Sequence, residues 1–87
     1  MSTLAWTTEA WEDYLYWQKQ DRKNLKRINT LIRDAMRTPY EGLGKPEPLR
    51  FDLTGYWSRR IDREHRLVYK FESDTDTLVI VQCRYHY

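Results

Sequence analysis

A chain of 87 residues, 40% of them hydrophobic and 32% charged, can build one packed domain and no more. Its single cysteine excludes an internal disulfide and suits a reducing compartment. The start carries no charged-then-apolar signal segment, and no stretch approaches the ~20 apolar residues of a membrane span, so a cytoplasmic protein without membrane contact is expected.

The formal charge of +2 is unevenly spread. Residues 1–18 carry three acids and no Lys or Arg, residues 19–37 carry seven Lys or Arg against two Asp, and the remainder balances. Leu4 to Trp6 predict a short strand, after which Thr7 or Thr8 can cap a helix with Glu9 and Glu12 in its first turn. Trp11, Tyr14, Leu15 and Trp17 give that helix its apolar side. A second helix opens at Asp21, with Leu25, Ile28, Leu31, Ile32, Ala35 and Met36 at three-to-four spacing and the basic residues opposite, and Pro39 stops it. The basic run is equally a solvated helix face or a set of phosphate ligands.

Residues 38–49 hold all three prolines and two of the three glycines, an irregular connector of the length that often carries function. Strands are predicted beyond it at Leu49 to Leu53, Tyr56 to Ile61, Arg66 to Phe71 and Leu78 to Tyr87, separated by turn signals at Thr54-Gly55, Asp62 to Glu64 and Ser73 to Asp76. The expected class is α+β, with two N-terminal helices packed on one face of an antiparallel sheet and the other face left open.

Strict alternation along the last strand would send Gln82, Arg84 and His86 one way and Cys83, Tyr85 and Tyr87 the other. That parity separates Cys83 from His86 and argues against a Cys/His nucleophilic pair, leaving Cys83 as a small buried hydrophobe. Arg66 alternates with Leu67 and can share the open side with His86, whereas His65 would face away and serve structure. Trp57 would anchor the start of its strand, and Trp6, Trp11, Tyr14 and Trp17 would fill the core. Glu47, stiffened between Pro46 and Pro48, offers a carboxylate; Lys45, Arg50, Arg59, Arg60 and Arg66 offer cations for a phosphodiester. There is no phosphate-binding Gly motif and no His/Cys/Asp cluster with zinc spacing, so metal-free phosphoryl transfer without a cofactor is the chemistry that remains.

Five segments, taken in order, cover nearly the whole chain: Glu12-Asp13-Tyr14-Leu15-Tyr16-Trp17, Gly44-Lys45-Pro46-Glu47-Pro48-Leu49, Trp57-Ser58-Arg59-Arg60-Ile61, Glu64-His65-Arg66-Leu67-Val68-Tyr69 and Cys83-Arg84-Tyr85-His86-Tyr87. Together they resemble the YoeB/Txe toxins of the RelE superfamily. The resemblance implies a microbial-ribonuclease-like fold and a toxin that cleaves messenger RNA in the ribosomal A site. It also implies neutralisation by a YefM-like antitoxin and pairing as a homodimer. Carried over position by position, Glu47 corresponds to the general base, Arg66 to the cation that meets transition-state charge, His86 to the general acid and Tyr87 to a terminal tyrosine completing the site. Lys45 and Arg50 flank the base in the family's basic loop; Arg59 and Arg60 are expected as further phosphate contacts from their charge alone. Two other readings remain open on the residues alone: a non-catalytic RNA or ribosome-binding module, and a ribonuclease that needs no ribosome.

Overall fold

A computed structural model describes residues 2–85. The chain runs β1 (Thr3–Trp6), α1 (Thr8–Gln20), α2 (Arg22–Arg37), β2 (Glu47–Pro48), β3 (Trp57–Arg60), β4 (Arg66–Glu72) and β5 (Thr77–Gln82). The strands form one sheet in the order β1-β5-β4-β3-β2. β2 to β5 pair antiparallel as expected, while β1 lies parallel to β5 at the edge and makes the sheet mixed. That parallel pairing is possible because the two helices and three strands between β1 and β5 supply the long crossover that it needs.

Thr7 caps α1 by accepting from the Ala10 N–H at 3.1 Å. Asp21 serves both helices: its N–H bonds the Trp17 carbonyl to end α1, and its carboxylate accepts from the Asn24 N–H at 3.1 Å to start α2. The corner is therefore tight, and the helices pack as a hairpin on one sheet face. Ala10 and Trp17 of α1 and Ile28, Leu31, Ile32 and Ala35 of α2 are buried against Leu67, Tyr69, Leu78, Ile80 and Cys83. Each large aliphatic side chain so buried contributes roughly 1.5–3 kcal/mol. Leu25, Met36, Trp6 and Tyr14 pack at the margin, and Trp11 stays 43% exposed, so the aromatic group fills the core only in part.

Two predicted strands differ from the structure. Residues 49–53 are a turn rather than a strand. The Leu49 N–H closes on the Tyr56 carbonyl, and the next residues wind into a 3₁₀ turn at Phe51–Leu53, with the Phe51 carbonyl accepting from both the Thr54 N–H and its hydroxyl. The pairing instead falls one step earlier, on Glu47–Pro48, where a sheet edge tolerates a proline that cannot donate.

The last strand stops at Gln82; Cys83 to Tyr85 do not continue it, and the predicted end at His86 and Tyr87 lies outside the described residues. A bulge precedes this end: Tyr69 faces Ile80 but Val68 faces Gln82, leaving Val81 as the extra residue. The bulge moves Gln82 to the face away from the helices and turns Cys83 into the core, where it is fully buried. Arg84 does not share a side with Gln82. Its guanidinium folds back toward α1 and stacks over Tyr16 at 3.5 Å.

Candidate functional site

The register of the sheet assembles the site. Glu47 pairs with Ser58, Ser58 with Val68, and Val68 with Gln82, so one transverse row crosses four strands on the face opposite the helices. Arg60 and Arg66 are paired directly, one step further along that same face. Paired residues in an antiparallel ladder project to one side. Glu47, Arg60 and Arg66 therefore share a face. Strand spacing puts the Cα atoms of Glu47 and Arg66 on the order of 10 Å apart, a gap suited to a sugar–phosphate unit between two side chains.

Glu47 is exposed at the sheet edge, as are Lys45 and Arg50 on either side of it. Lys45 adopts a left-handed φ of 53° between Gly44 and Pro46, and the Arg60 N–H clamps this loop by donating to the Gly44 carbonyl at 2.7 Å. Arg66 is half-buried, its Nη1 donating to the carbonyls of Asp62 at 2.9 Å and His65 at 3.1 Å, which orients the guanidinium. Arg27, Arg60, Ile61, Asp62, Arg63 and Arg66 line an open cleft of about 530 Å³. Arg27 and Arg63 are additions that sequence reasoning missed: Arg27 belongs to the basic run of α2, whose direction toward the sheet only packing defines. Its Nη2 is tied to the Arg60 carbonyl at 3.1 Å.

Arg59 is a correction. It is fully buried and presents no nitrogen to a phosphate. Its five N–H donors find five acceptors. Nε donates to the Tyr69 hydroxyl at 3.0 Å, Nη1 to Asp34 Oδ2 at 2.7 Å and the Leu43 carbonyl at 3.1 Å, and Nη2 to the carbonyls of Thr38 at 2.7 Å and Glu41 at 2.9 Å. The alternation that puts Arg60 on the open face must put Arg59 on the helix face, and the charge is accommodated there by Asp34. The Leu43 N–H, together with Arg37 and Arg59, holds the Asp34 carboxyl well below the usual carboxylate range. This network fastens residues 38–43 to the core and so aims the loop that carries Lys45 and Glu47.

His86 and Tyr87 lie outside the described residues. The chain leading to them does not: the Arg66 N–H donates to the Tyr85 carbonyl at 2.8 Å, so the residue just before His86 is bonded to the strand that bears Arg66. His65 has a structural place, as expected, against the indole of Trp17. Burial, aided by Asp13, pushes the Cys83 thiol up to about 12. We expect Cys83 in the native protein to resist thiol reagents until the chain unfolds; rapid stoichiometric labelling at pH 8 would contradict that burial. Among the described residues no group of three or more His, Cys, Asp or Glu is arranged to hold a metal ion, and no helix is long and apolar enough to cross a membrane.

The arrangement can accept a proton at Glu47 and meet anionic oxygen at Arg66, with Lys45, Arg50, Arg60 and the cleft arginines available to flanking phosphates. The chain as a whole is similar to known proteins. Residues 6–87 match the model of the YoeB-like toxin of bacterial type II toxin–antitoxin systems. Toxin YoeB of Streptomyces coelicolor is 61% identical over 84 residues, 97% of this chain and 98% of its own length. Among solved structures, a YoeB/ParE toxin from Agrobacterium tumefaciens superposes with a TM-score of 0.95 at 53% identity, covering 98% of this chain and 99% of that one. YoeB in a heterotetrameric YoeB–YefM toxin–antitoxin complex from Staphylococcus aureus superposes at 0.89 with 44% identity, covering 100% of this chain and 99% of that one.

Proposed function

The chain belongs to the YoeB-like toxins of bacterial type II toxin–antitoxin systems, and from that membership we propose that it is a ribosome-dependent messenger RNA endoribonuclease that arrests translation. The observation that carries this reading is the shared face of Glu47, Arg60 and Arg66, set by strand register alone. Glu47 takes the proton from a ribose 2′-hydroxyl, which attacks the adjacent phosphorus. The bond to the 5′-oxygen of the next nucleotide breaks, and His86 delivers a proton to that oxygen. Charge gathering on the non-bridging oxygens is met by Arg66, whose planar fork suits a phosphate better than an ammonium would. Tyr87 completes the site beside His86. Lys45, Arg50 and Arg60 hold the flanking backbone. The RNA supplies its own nucleophile, so the products are a 2′,3′-cyclic phosphate and a 5′-hydroxyl and no metal takes part.

In this reading the ribosome presents the message single-stranded at the decoding A site, and the cytoplasm is the compartment that follows. By likeness to the S. aureus complex, the partner that silences the toxin is a YefM-like antitoxin, and the family resemblance adds a homodimer. The decisive substrate is a message on purified ribosomes with a single 2′-deoxynucleotide at the A-site cleavage position. Removing the hydroxyl removes the nucleophile, so the deoxy message should stay intact while the all-ribose message is cut. Equal cleavage of both would exclude attack by the 2′-oxygen, and efficient cutting of either without ribosomes would exclude ribosome dependence.

A further inference from the structure

The last described residues are fixed atom by atom, although the regular strand ends at Gln82. The Cys83 N–H donates to Asp13 Oδ2 at 3.1 Å, the Cys83 carbonyl accepts from Trp17 Nε1 at 2.8 Å, and the Arg84 carbonyl accepts from Gln82 Nε2 at 2.9 Å. Tyr85 then takes a left-handed φ of 62°, which is unfavourable for a non-glycine residue. Such a conformation persists only where its surroundings over-determine it. Two bonds do so here: the Tyr85 N–H donates to His65 Nδ1 at 2.6 Å, and the Tyr85 carbonyl accepts from the Arg66 N–H at 2.8 Å.

His65 is itself immobilised. Its N–H donates to Asp62 Oδ1 at 2.8 Å, its carbonyl accepts from the Ile61 N–H at 3.0 Å, and its ring packs edge-on against Trp17 at 4.8 Å. A backbone N–H can only donate, so Nδ1 must be the unprotonated nitrogen and the proton of the neutral ring must sit on Nε2. We propose that His65 is a positioning residue, whose unprotonated Nδ1 locks Tyr85 in its left-handed turn beside Arg66 and so fixes the point from which the chain continues to His86. This rests on the nuclease reading above for its catalytic consequence, though not for the bond itself.

An imidazolium has no acceptor left and would set an N–H against the Tyr85 N–H. The lock therefore exists only while His65 is neutral. The charged groups around the ring act in both directions. Asp13 of α1 and Asp62 of the turn bring negative charge near the ring, and Arg66 of β4 and Arg84, stacked over the Tyr85 ring at 4.6 Å, bring positive charge. Protonation of Nδ1 should free Tyr85.

The first test uses the free wild-type protein and no ribosome: ¹⁵N NMR of the His65 ring and of the Tyr85 amide across pH. A ring carrying its proton on Nε2, with the Tyr85 amide shift titrating in step with it, is expected. A proton on Nδ1, or a Tyr85 amide indifferent to His65, would overturn the proposal. The second test is single-turnover cleavage on programmed ribosomes. His65→Ala should lower the rate about 10²-fold with little change in half-saturating concentration, since misplacement by about 1 Å is enough for that loss. His65→Asn, whose amide oxygen can replace Nδ1 as acceptor, should restore most of the rate and remove the part of the acid limb that His65 contributes. Cleavage by His65→Ala at the wild-type rate would overturn the proposal. A wild-type protein that cuts nothing, yet shows the coupled titration, would count against the nuclease reading and for the lock.

Discussion

Glu47→Gln should lower single-turnover cleavage on programmed ribosomes by about 10²–10⁴-fold, the usual contribution of a positioned general base. The substitution keeps shape and removes only the ability to take a proton. Glu47 is exposed on a two-residue edge strand, so the melting temperature should not move. Arg66→Gln should cost a further distinguishable loss of about 10²–10³-fold, because it withdraws a donor aimed at charge that develops only in the transition state. Arg66 is half-buried and tied to the Asp62 and His65 carbonyls, so its variant should also be checked for an intact fold. Residues acting on one transition state are not additive, and the double variant should be little slower than the worse single one. Wild-type cleavage rates in Glu47→Gln would remove that carboxylate as the base and return the site to a binding role.

Arg59→Ala should do the opposite: it should unfold the protein easily and say little about RNA. The variant takes the guanidinium away from the Leu43, Thr38 and Glu41 carbonyls and leaves the Asp34 carboxylate with only the Leu43 N–H and the exposed Arg37. Breaking one side of a buried pair costs about 3–5 kcal/mol, a large share of the ~5–15 kcal/mol that holds a domain together. At ~4–8 °C per kcal/mol, the melting temperature should fall by more than ~10 °C. Arg60→Ala, one residue on and exposed, should melt close to wild type while weakening cleavage. An Arg59→Ala protein as stable as wild type, with its RNA cleavage lost, would restore Arg59 to the phosphate-binding set.

The same network sets a pH dependence. The pKa of Asp34 is depressed in the folded state, so its contribution is complete above the unfolded aspartate value of ~3.9 and is lost as pH falls below that toward the lowered folded value. The stability gap between wild type and Asp34→Asn should therefore be constant near neutrality and narrow only below about pH 4. A gap that already closes between pH 7 and pH 5 would show that another group carries the effect.

Local rules were enough for the elements whose signals are local. Thr7 and Asp21 cap helices because their side chains reach N–H groups three residues on, and α2 follows from apolar residues at helical spacing. Arg66, Val68 and Lys70 alternate away from Leu67, Tyr69 and Phe71 because a strand has period two. Family-specific segments, read in order, supplied the expectation of a toxin and its candidate residues.

Long-range register lay beyond those rules. Nothing in Glu47-Pro48 announces a strand; its pairing with Trp57 and Ser58 makes it one and brings its carboxylate to the face of Arg66. A single extra residue at Val81 is what carries Gln82 to the open face and Cys83 into the core, because unbroken alternation from Leu78 and Ile80 would have done the reverse. Two adjacent arginines, indistinguishable as sequence, separated into an exposed cation and a buried staple. Composition determined one small α+β domain with a basic helix, while the tertiary structure decided which charges meet solvent. The physical reason is that a buried guanidinium is tolerated only where five acceptors, one of them a carboxylate, drawn from segments distant in the chain, converge on it.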